Sequence, residues 1–231
     1  MGTSTSATGR VLGIQHYPGG YTLLRLTTDR AASFQPGHAL QINGALWPIL
    51  QTTPEQNGVD CLQRSISPPP SESELHIGDP GGIAFDISAA TPRALLLADN
   101  DGIAAITFLA RALHNREPRV KPLALFGLTH PLPFQPQPSR IMTAGLPSDV
   151  IAALPLLEDW GIPSRIACPT REQPGCFEGQ VVDLAQIWLN ILQGVADITV
   201  FACGSDQLLK ASCQLSDDHQ LACQSRRALL P

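Results

Sequence analysis

The stretch ALLLADNDGIAA, residues 94–105, decides the fold. Its apolar start, residues 94–98, is typical of a strand that is covered on both faces. The polar residues 99–102 then predict a turn, and the apolar run from Ile103 to about His114 predicts a helix. A strand that passes through a short turn into a helix is the repeating unit of a parallel sheet.

Further units of the same kind follow toward the C-terminus. After Pro147, either Ser148 or Asp149 is a candidate N-cap for a helix that ends near Trp160. The other predicted elements are strands at 122–127, 164–168 and 198–203 and helices at 180–192 and 205–211. The helix at 180–192 has one apolar face, formed by Val181, Leu184, Ile187, Trp188 and Ile191. Alternating strands and helices predict a doubly wound, mainly parallel sheet.

The first ninety residues have a different pattern. Short strand-like segments at 10–16, 21–28 and 38–42 are separated by turns rich in Gly and Pro. Residues 21–27 alternate with a period of two, which predicts a half-buried strand, and the three prolines at 68–70 predict an exposed loop over 65–73. We therefore predict two domains, an antiparallel β-barrel or sandwich in residues 1–90 and an α/β domain in residues 91–231.

The charge balance excludes nucleic acid as the main partner. The 231 residues carry 15 Lys and Arg against 20 Asp and Glu, a formal net charge of −5, and the lysines are Lys121 and Lys210 alone. Phosphate backbones are bound by clustered cationic side chains, which this sequence lacks. The longest apolar runs are far shorter than the roughly 20 residues that cross a bilayer, so we expect no membrane span.

The cysteines and histidines show no metal-binding pattern. Six cysteines occur without a C-x-x-C pair, and six histidines occur without an H-E-x-x-H motif. The first residues lack the charged and then apolar layout of a signal peptide. We therefore expect reduced thiols, no bound metal and a cytoplasmic protein.

Two strand ends are the candidate ligand-binding positions. In an open parallel sheet, ligands bind beyond the carboxyl ends of the strands. The turn at 99–102 and the pair Cys203-Gly204 both follow predicted strands. Gly204 permits close approach of the backbone to a ligand, and Cys203 is suited to lie against a flat ring. The alternative is a buried structural cysteine followed by a turn glycine.

Several short motifs, in this order, resemble those of the ferredoxin–NADP reductase superfamily over nearly the whole chain. They are FQPGH at 34–38, LHIGD at 75–79, GGIAFD at 81–86, LLL at 95–97 running into GIA at 102–104, CG at 203–204 and LL at 208–209. Within that superfamily, the stretch GCFEGQV at 175–181 is similar to one in the electron-transfer subunit of dihydroorotate dehydrogenase. The resemblance implies a flavin-binding barrel followed by a domain that binds a pyridine nucleotide, with electrons passing from NAD(P)H through FAD to an acceptor.

The flavin motif of the superfamily is altered in this chain. An R-x-Y-[ST] motif on a barrel strand holds the flavin in the family, and the segment here at that place is Trp47-Pro48-Ile49-Leu50. It lacks the cation, the phenol and the hydroxyl group. By resemblance these four residues would line the flavin, although Trp47 is equally suited to the core of a barrel. Gly102, Cys203 and Gly204 would line the nicotinamide pocket.

The nucleotide loop is altered as well. The superfamily has a glycine-rich loop whose N–H groups receive a phosphate at a helix N-terminus. Here Asp99 and Asp101 introduce two carboxylates, which we expect to cap the helix and to repel a pyrophosphate. NAD(P)H is therefore disfavoured. The alternatives are no ligand, a neutral or cationic ligand held by Asp99 and Asp101, or a divalent ion between the loop and a phosphate.

The C-terminal segment resembles part of an iron–sulfur motif. Residues 215–223 are similar to the stretch that opens the [2Fe–2S] segment of the dihydroorotate dehydrogenase subunit, with Cys223 in place of its first ligand. A cluster of this type requires four ligands, and this chain retains one of the four cysteines. We therefore expect no iron–sulfur cluster.

Three functions remain as hypotheses. The first is a flavin-dependent NAD(P)H oxidoreductase, an electron-transfer module that serves a partner protein. The second is a cofactor-free binding or scaffold protein of the same fold, working with a protein partner or as a homodimer. The third is a hydrolase with Cys176 or Cys203 as its nucleophile, for which His130 is a candidate base.

Overall fold

The first half of the chain is a closed antiparallel barrel in a computed structural model, which describes residues 7–42, 44–64, 68–69, 74–129, 131–170, 173–192 and 197–228. Its strands are β1 (Ala7–Tyr17), β2 (Tyr21–Thr28), β3 (His38–Ile42), β4 (Ala45–Thr53), β5 (Gly58–Arg64), β6 (Glu74–Ile77) and β7 (Gly81–Gly82). The strand order is β4-β5-β2-β1-β6-β3, and pairing of β3 with β4 closes the ring. The short β7 pairs with β3 outside the ring.

Strand β2 shows why the barrel does not stand alone. Leu24 and Leu26 lie in the barrel core, whereas Tyr21 and Leu23 on the other face pack against the second half of the chain. The prediction of a half-buried strand was therefore wrong for its first residues, because the α/β half covers the outer face. Of the predicted loop at 65–73, only Pro68 and Pro69 are among the described residues.

The second half is built on a six-stranded parallel sheet. Its strands are β8 (Arg93–Asp99), β9 (Lys121–Gly127), β12 (Ser164–Cys168), β13 (Phe177–Glu178), β14 (Ile198–Gly204) and β15 (Ala222–Arg227), in the order β13-β12-β9-β8-β14-β15. A separate pair consists of β10 (Gln137–Pro138) and β11 (Ala152–Ala153). The helices are α1 (Ile103–His114), α2 (Pro155–Asp159), α3 (Val181–Ile191) and α4 (Asp206–Asp218).

Helices cover both faces of this sheet. Helix α1 lies between the sheet and the barrel, and its Phe108 reaches the barrel core. Helices α3 and α4 pack on the opposite face. This arrangement confirms the predicted fold class, a β-barrel followed by a doubly wound α/β sheet. The predicted boundary near residue 90 lies in the segment between β7 and β8.

The predicted helix at 148–160 was wrong at its start and right at its end, where Trp160 is the C-cap. Only α2 is helical there, because the N–H groups of Ile151 and Ala152 donate to the carbonyl oxygen of Gly175 at 2.8 Å instead of forming a helical turn. Leu154 precedes Pro155 and has the extended backbone that a following proline favours.

The C-terminal elements also differ from the prediction. Helix α4 continues seven residues beyond Ala211, and the strand β15 that follows it was not predicted. Residues 215–218 are thus the end of a helix, and Cys223 lies opposite Val200 on an edge strand of the sheet. None of the helices in the described part of the chain is both long and apolar enough to cross a membrane.

Candidate functional site

The strand ends predicted as ligand positions lie together, at the point where the strand order of the sheet reverses. Strands β9, β12 and β13 lie on one side of β8, and β14 and β15 lie on the other. Gly102, after β8, touches the end of β14 so closely that a Cβ atom there would lie 1.9 Å from the carbonyl oxygen of Cys203. Gly102 is therefore required for the packing of two backbones, whatever ligand the site takes.

A carboxylate bridges the two strand ends. Asp99 Oδ2 accepts a hydrogen bond from the N–H of Ser205 at 2.7 Å, and Asp99 Oδ1 accepts one from the N–H of Asp101 at 3.2 Å. Gly204 has φ +155°, and a Cβ atom on it would lie 2.3 Å from Asp99 Oδ1. The absence of a side chain at Gly204 thus makes room for a protein carboxylate.

Asn100 ties the same turn to two other elements. Its Oδ1 accepts from the N–H of Thr129 at 2.8 Å and from the Thr129 hydroxyl at 2.9 Å, and its Nδ2 donates to the Thr129 carbonyl at 3.1 Å. The Tyr21 hydroxyl on barrel strand β2 donates to the Asn100 carbonyl at 3.2 Å and accepts from Asn100 Nδ2 at 3.1 Å. The turn after β8 is therefore held by the barrel and by the end of β9.

The start of α1 is buried between the sheet and the barrel. Gly102, Ile103 and Ala104 are buried at the junction with the barrel. No side chain caps this helix at its N-cap residue, Gly102. The expectation that Asp99 and Asp101 cap α1 was wrong for Asp99, whose carboxylate bonds to Asp101 and Ser205 because the two strand ends meet there.

The larger opening at this edge of the sheet is a cavity of about 290 Å³, which we call the sheet-edge cleft. It lies between the ends of β8, β9 and β12 and the first turns of α3 and α4. Among the described residues that line it, the polar side chains are Asp99, Thr129, Gln180, Asp183, Ser205 and Gln207. The Gln180 N–H donates to Asp183 Oδ2 at 3.1 Å, and Ser205 Oγ accepts from the Leu208 N–H at 3.4 Å. The described charges of the cleft are thus negative.

A second, smaller opening lies between the barrel and the sheet. This interdomain cavity has a volume of about 160 Å³ and is lined by Pro48 and His38 from the barrel and by Asp101, Cys203, Arg226 and Arg227 from the α/β half. It brings together Pro48 and Cys203, which the resemblance assigns to the flavin and the nicotinamide. Arg226 stacks on Phe85, 5.3 Å from the ring centre, and its Nη2 donates to the Ala84 carbonyl at 3.1 Å. Arg227 pairs with Asp206.

The four residues predicted to line a flavin face different surroundings. Trp47 and Ile49 are buried in the barrel core, at 1% and 0% exposure. Pro48 lines the interdomain cavity. Leu50 faces Leu23 and Ile103 in a separate apolar groove. The alternation of a strand therefore divides this segment between two faces, and the barrel core accounts for Trp47 and Ile49 without a ligand.

Burial sets the protonation of two groups at the interdomain cavity. Burial, with a smaller contribution from the nearby Asp99 carboxylate, raises the pKa of the Cys203 thiol to about 12. Burial also raises the pKa of Asp101, with Asp99 adding to the effect. A thiol of this kind is protonated at neutral pH and is a poor nucleophile, which argues against Cys203 in the hydrolase hypothesis. Its candidate base, His130, lies outside the described residues.

The sequence did not identify several of these residues. Tyr21 lies 79 positions and Thr129 lies 29 positions from Asn100, which both contact. Arg226 and Arg227 belong to a strand that was not predicted. The stretch at 175–181 was the available signal for the cleft, since Gly179 and Val181 line it. Within the described residues, no group of three or more His, Cys, Asp or Glu side chains is placed to hold a metal ion.

Comparison with known proteins places the fold and leaves the family open. No family model matches the chain, and no curated protein matches its sequence. The solved structures that resemble it include the cytochrome P450 reductase GcoB from Amycolatopsis, with 12% identity, a TM-score of 0.69 and coverage of 98% of this chain and 70% of that one. The ferredoxin reductase in carbazole 1,9a-dioxygenase has 12% identity and a TM-score of 0.68, and the match covers 98% of this chain and 70% of that one.

A ferredoxin–NADP⁺ reductase from Neisseria gonorrhoeae, solved with bound FAD and NADP, shows the same likeness. Its identity is 9%, its TM-score is 0.63, and the match covers 94% of this chain and 97% of that one. Identities this low establish shared architecture and not shared activity. The chain therefore has the ferredoxin reductase-like fold.

Proposed function

We propose that this chain is a protein-binding module of ferredoxin reductase-like fold that does not use a pyridine nucleotide. The observation that carries the proposal is the Asp99 carboxylate, which occupies the junction of the two strand ends and accepts hydrogen bonds from the N–H groups of Asp101 and Ser205. In a dinucleotide site, free N–H groups at such a junction receive a phosphate. Here the Asp99 carboxylate already accepts hydrogen bonds from these two N–H groups.

The electrostatics of the cleft support the same proposal. A phosphate there would face Asp99 and Asp183, with no lysine or arginine among the described lining residues. Two like charges 4 Å apart repel by about 4 kcal/mol at an effective dielectric constant of about 20. That repulsion corresponds to roughly a thousandfold loss of affinity. The residues present therefore do not fit NADH or NADPH.

The test is a fluorescence titration of the purified chain with NADH and NADPH. We expect no saturable binding below about 1 mM, the upper end of ordinary substrate constants. The variant Asp99→Asn with Asp101→Asn keeps the side-chain shapes and removes both charges, so it should gain at least tenfold in affinity. Asp217→Asn with Asp218→Asn, at the far end of α4, is the control and should gain nothing. Micromolar binding of NADPH by the unaltered chain would contradict the proposal.

The protein-binding role itself needs a partner, which we infer to be another protein or a second copy of this chain. Ile83 supports a docking role for the rim of the interdomain cavity, because this large apolar side chain is 70% exposed there. We also place the chain in the cytoplasm, since its six cysteines are free thiols. The mass in solution, measured by light scattering for the unaltered chain and for Ile83→Ser, tests self-association. A monomer in both leaves a different protein as the partner.

A flavin-dependent electron-transfer module is the second candidate. It is favoured by the interdomain cavity, where Pro48, Cys203 and two arginines meet. The cavity volume of about 160 Å³ is below the roughly 300–1,000 Å³ of ordinary small-molecule sites, so the site as it stands does not fit the flavin ring system. Absorbance of the purified protein between roughly 350 and 500 nm separates the candidates. A flavin spectrum at near-stoichiometric content would reject the cofactor-free proposal.

A further inference from the structure

Two cysteines lie at the two ends of the segment that joins β12 to β13. Cys168 is the last residue of β12 and is fully buried, and Cys176 directly precedes β13 and is partly exposed. The parallel register pairs Ala167 with Phe177 and Cys168 with Glu178. The chain thus leaves the sheet at one cysteine and returns beside it at the other.

The two sulfur atoms are neighbours. Cys176 packs against the apolar cluster that contains Cys168, and the two side chains interact by a hydrogen bond. This hydrogen bond lowers the pKa of Cys168 and raises that of Cys176. When the pair loses a proton, the negative charge is therefore favoured on the buried sulfur, and the exposed thiol stabilises it.

Cys176 is open to solvent. It lines a cavity of about 550 Å³ together with Asp149, Gln173 and Glu178. A small molecule in this cavity can therefore reach Cys176, whereas Cys168 is fully buried and does not line the cavity. One accessible cysteine beside one buried cysteine is the arrangement of an attacking thiol and a resolving thiol.

We propose that Cys168 and Cys176 form a redox-active pair, which a small disulfide of the glutathione class oxidises to an intramolecular disulfide. The Cys176 sulfur attacks the small disulfide as its proton passes across the hydrogen bond to the Cys168 thiolate, which forms a mixed disulfide and releases one thiolate. The Cys168 sulfur then gives up this proton, attacks the Cys176 sulfur and releases the second thiolate. Two protein thiols are oxidised by two electrons, the small disulfide is reduced to two thiols, and the two protons pass to the released thiolates or to water.

The bond would act on the sheet-edge cleft. Pro169, which directly follows Cys168, and Gly179, which directly follows β13, line that cleft. The Gly179 N–H donates to the Cys168 carbonyl at 2.9 Å, and the Gly175 carbonyl accepts the N–H groups of Ile151 and Ala152. A disulfide between positions 168 and 176 would therefore fix one wall of the cleft covalently.

A second pair of cysteines in the chain provides an internal comparison. Cys213 on α4 and Cys223 on β15 also interact through their side chains, but burial raises the pKa of Cys223 to about 11. Cys213 donates to the Ser225 hydroxyl at 3.9 Å. The link between Cys213 and Cys223 is measured in the same mixtures as an internal reference.

The experiment equilibrates the reduced full chain in glutathione buffers of increasing oxidised fraction, with and without urea. The mixture is acid-quenched, the remaining thiols are alkylated, and the linked peptides are identified by mass. We expect the link between Cys168 and Cys176 to form in the folded chain at an oxidised-to-reduced ratio at least tenfold lower than in the unfolded chain. A link that forms no more readily in the folded chain would overturn the proposal.

Three variants separate the roles of the two sulfurs. Cys168→Ser should accumulate a glutathione adduct on Cys176, because no resolving thiol remains, and Cys176→Ser should leave Cys168 unmodified. Cys213→Ser is the matched control and should form the link at the same ratio as the unaltered chain. An adduct on Cys176 of the unaltered chain with no internal link would overturn the proposal. If Cys168→Ser does not fold, the comparison of folded and unfolded chain decides alone.

Discussion

The sheet-edge cleft and the interdomain cavity lie on opposite sides of one turn, residues 99–102, and differ in charge and closure. The cleft is open, and its described charges are Asp99 and Asp183. The interdomain cavity is small, and Asp101 there is accompanied by Arg226 and Arg227. The fold therefore keeps two openings in which the strand ends meet, but the cleft repels anions, whereas the interdomain cavity has cations in its wall.

The difference shows that internal hydrogen bonds hold each side of this turn. On the cleft side, the Asp99 carboxylate occupies two N–H groups. On the barrel side, Tyr21 bonds directly to Asn100. The bonds from Ser205 to Asp99 and from Tyr21 to Asn100 join parts of the chain that lie 106 and 79 positions apart.

Gly102→Ala should break the wall that the two openings share. Its Cβ atom would lie 1.9 Å from the carbonyl oxygen of Cys203 and 2.6 Å from the carbonyl carbon, and a backbone cannot yield as a side chain can. We expect the free energy of unfolding to fall by about 3 kcal/mol, at the upper end for overpacking. Urea denaturation followed by circular dichroism measures it.

Gly13→Ala is the control for that measurement. A Cβ atom at Gly13 has nothing within 4 Å, so stability should change by less than about 0.5 kcal/mol. Equal losses for the two variants would mean that the strand ends do not meet as closely as described. The two openings would then not share a closely packed wall.

Asp99→Ala should weaken the cleft side of the turn. The N–H groups of Ser205 and Asp101 lose their charged acceptor, and a hydrogen bond to a charged group contributes about 1.5–3 kcal/mol. We expect a loss of about 2 kcal/mol in the urea measurement. Because Asp99 also raises the pKa of Cys203, thiol titration should show a lower pKa for Cys203 in the variant. An unchanged thiol titration would mean that the Asp99 charge does not influence Cys203 in the interdomain cavity.

Tyr21→Phe should weaken the barrel side alone. It removes the hydroxyl that donates to the Asn100 carbonyl and accepts from Asn100 Nδ2, and leaves the ring in place. We expect a loss of about 1 kcal/mol, the usual net contribution of a neutral hydrogen bond. Tyr17→Phe, on β1, is the control and should cost less. A loss as large as that of Asp99→Ala would show that the barrel contact holds the turn as firmly as the carboxylate does.

The sequence allowed prediction of the elements with local signals. The predicted bounds of β2, β3 and β12 match the structure, as does α1, because each has a continuous apolar run or a marked turn beside it. The length of α4 was missed because its second half is polar. Ser212 and Ser216 are buried there, and their hydroxyls donate to the carbonyls of Leu208 and Ser212, respectively. Polar residues therefore lie on the buried face of this helix.

The site could be predicted only in part, for a related reason. The acids of the turn are visible in the sequence, and their effect on charge follows from their position. Their partners are not visible, since Ser205 lies 106 positions from Asp99 and Tyr21 lies 79 positions from Asn100. Strand alternation divides residues 47–50 between two faces, but the face that meets the barrel core is set by the contacts of β4 with distant elements such as α1, whose Phe108 packs in the same core.

Asp101→Asn should give the smallest effect, with the opposite sign. Burial and Asp99 raise the pKa of Asp101 above its ordinary value of 3.8, so the folded chain binds this proton more tightly than the unfolded chain does. Ionisation of Asp101 therefore destabilises the fold as pH rises through the folded-state pKa.

An asparagine side chain cannot ionise, and we expect the substitution to stabilise the chain at pH 7 by about 0.5 kcal/mol, since the side chain is half-exposed and screened. The gain should disappear below about pH 3.8, where both states are protonated. Urea denaturation of both chains across this pH range measures the difference, and a gain that persists in acid would show that the substituted amide stabilises the interdomain cavity by shape and not by charge.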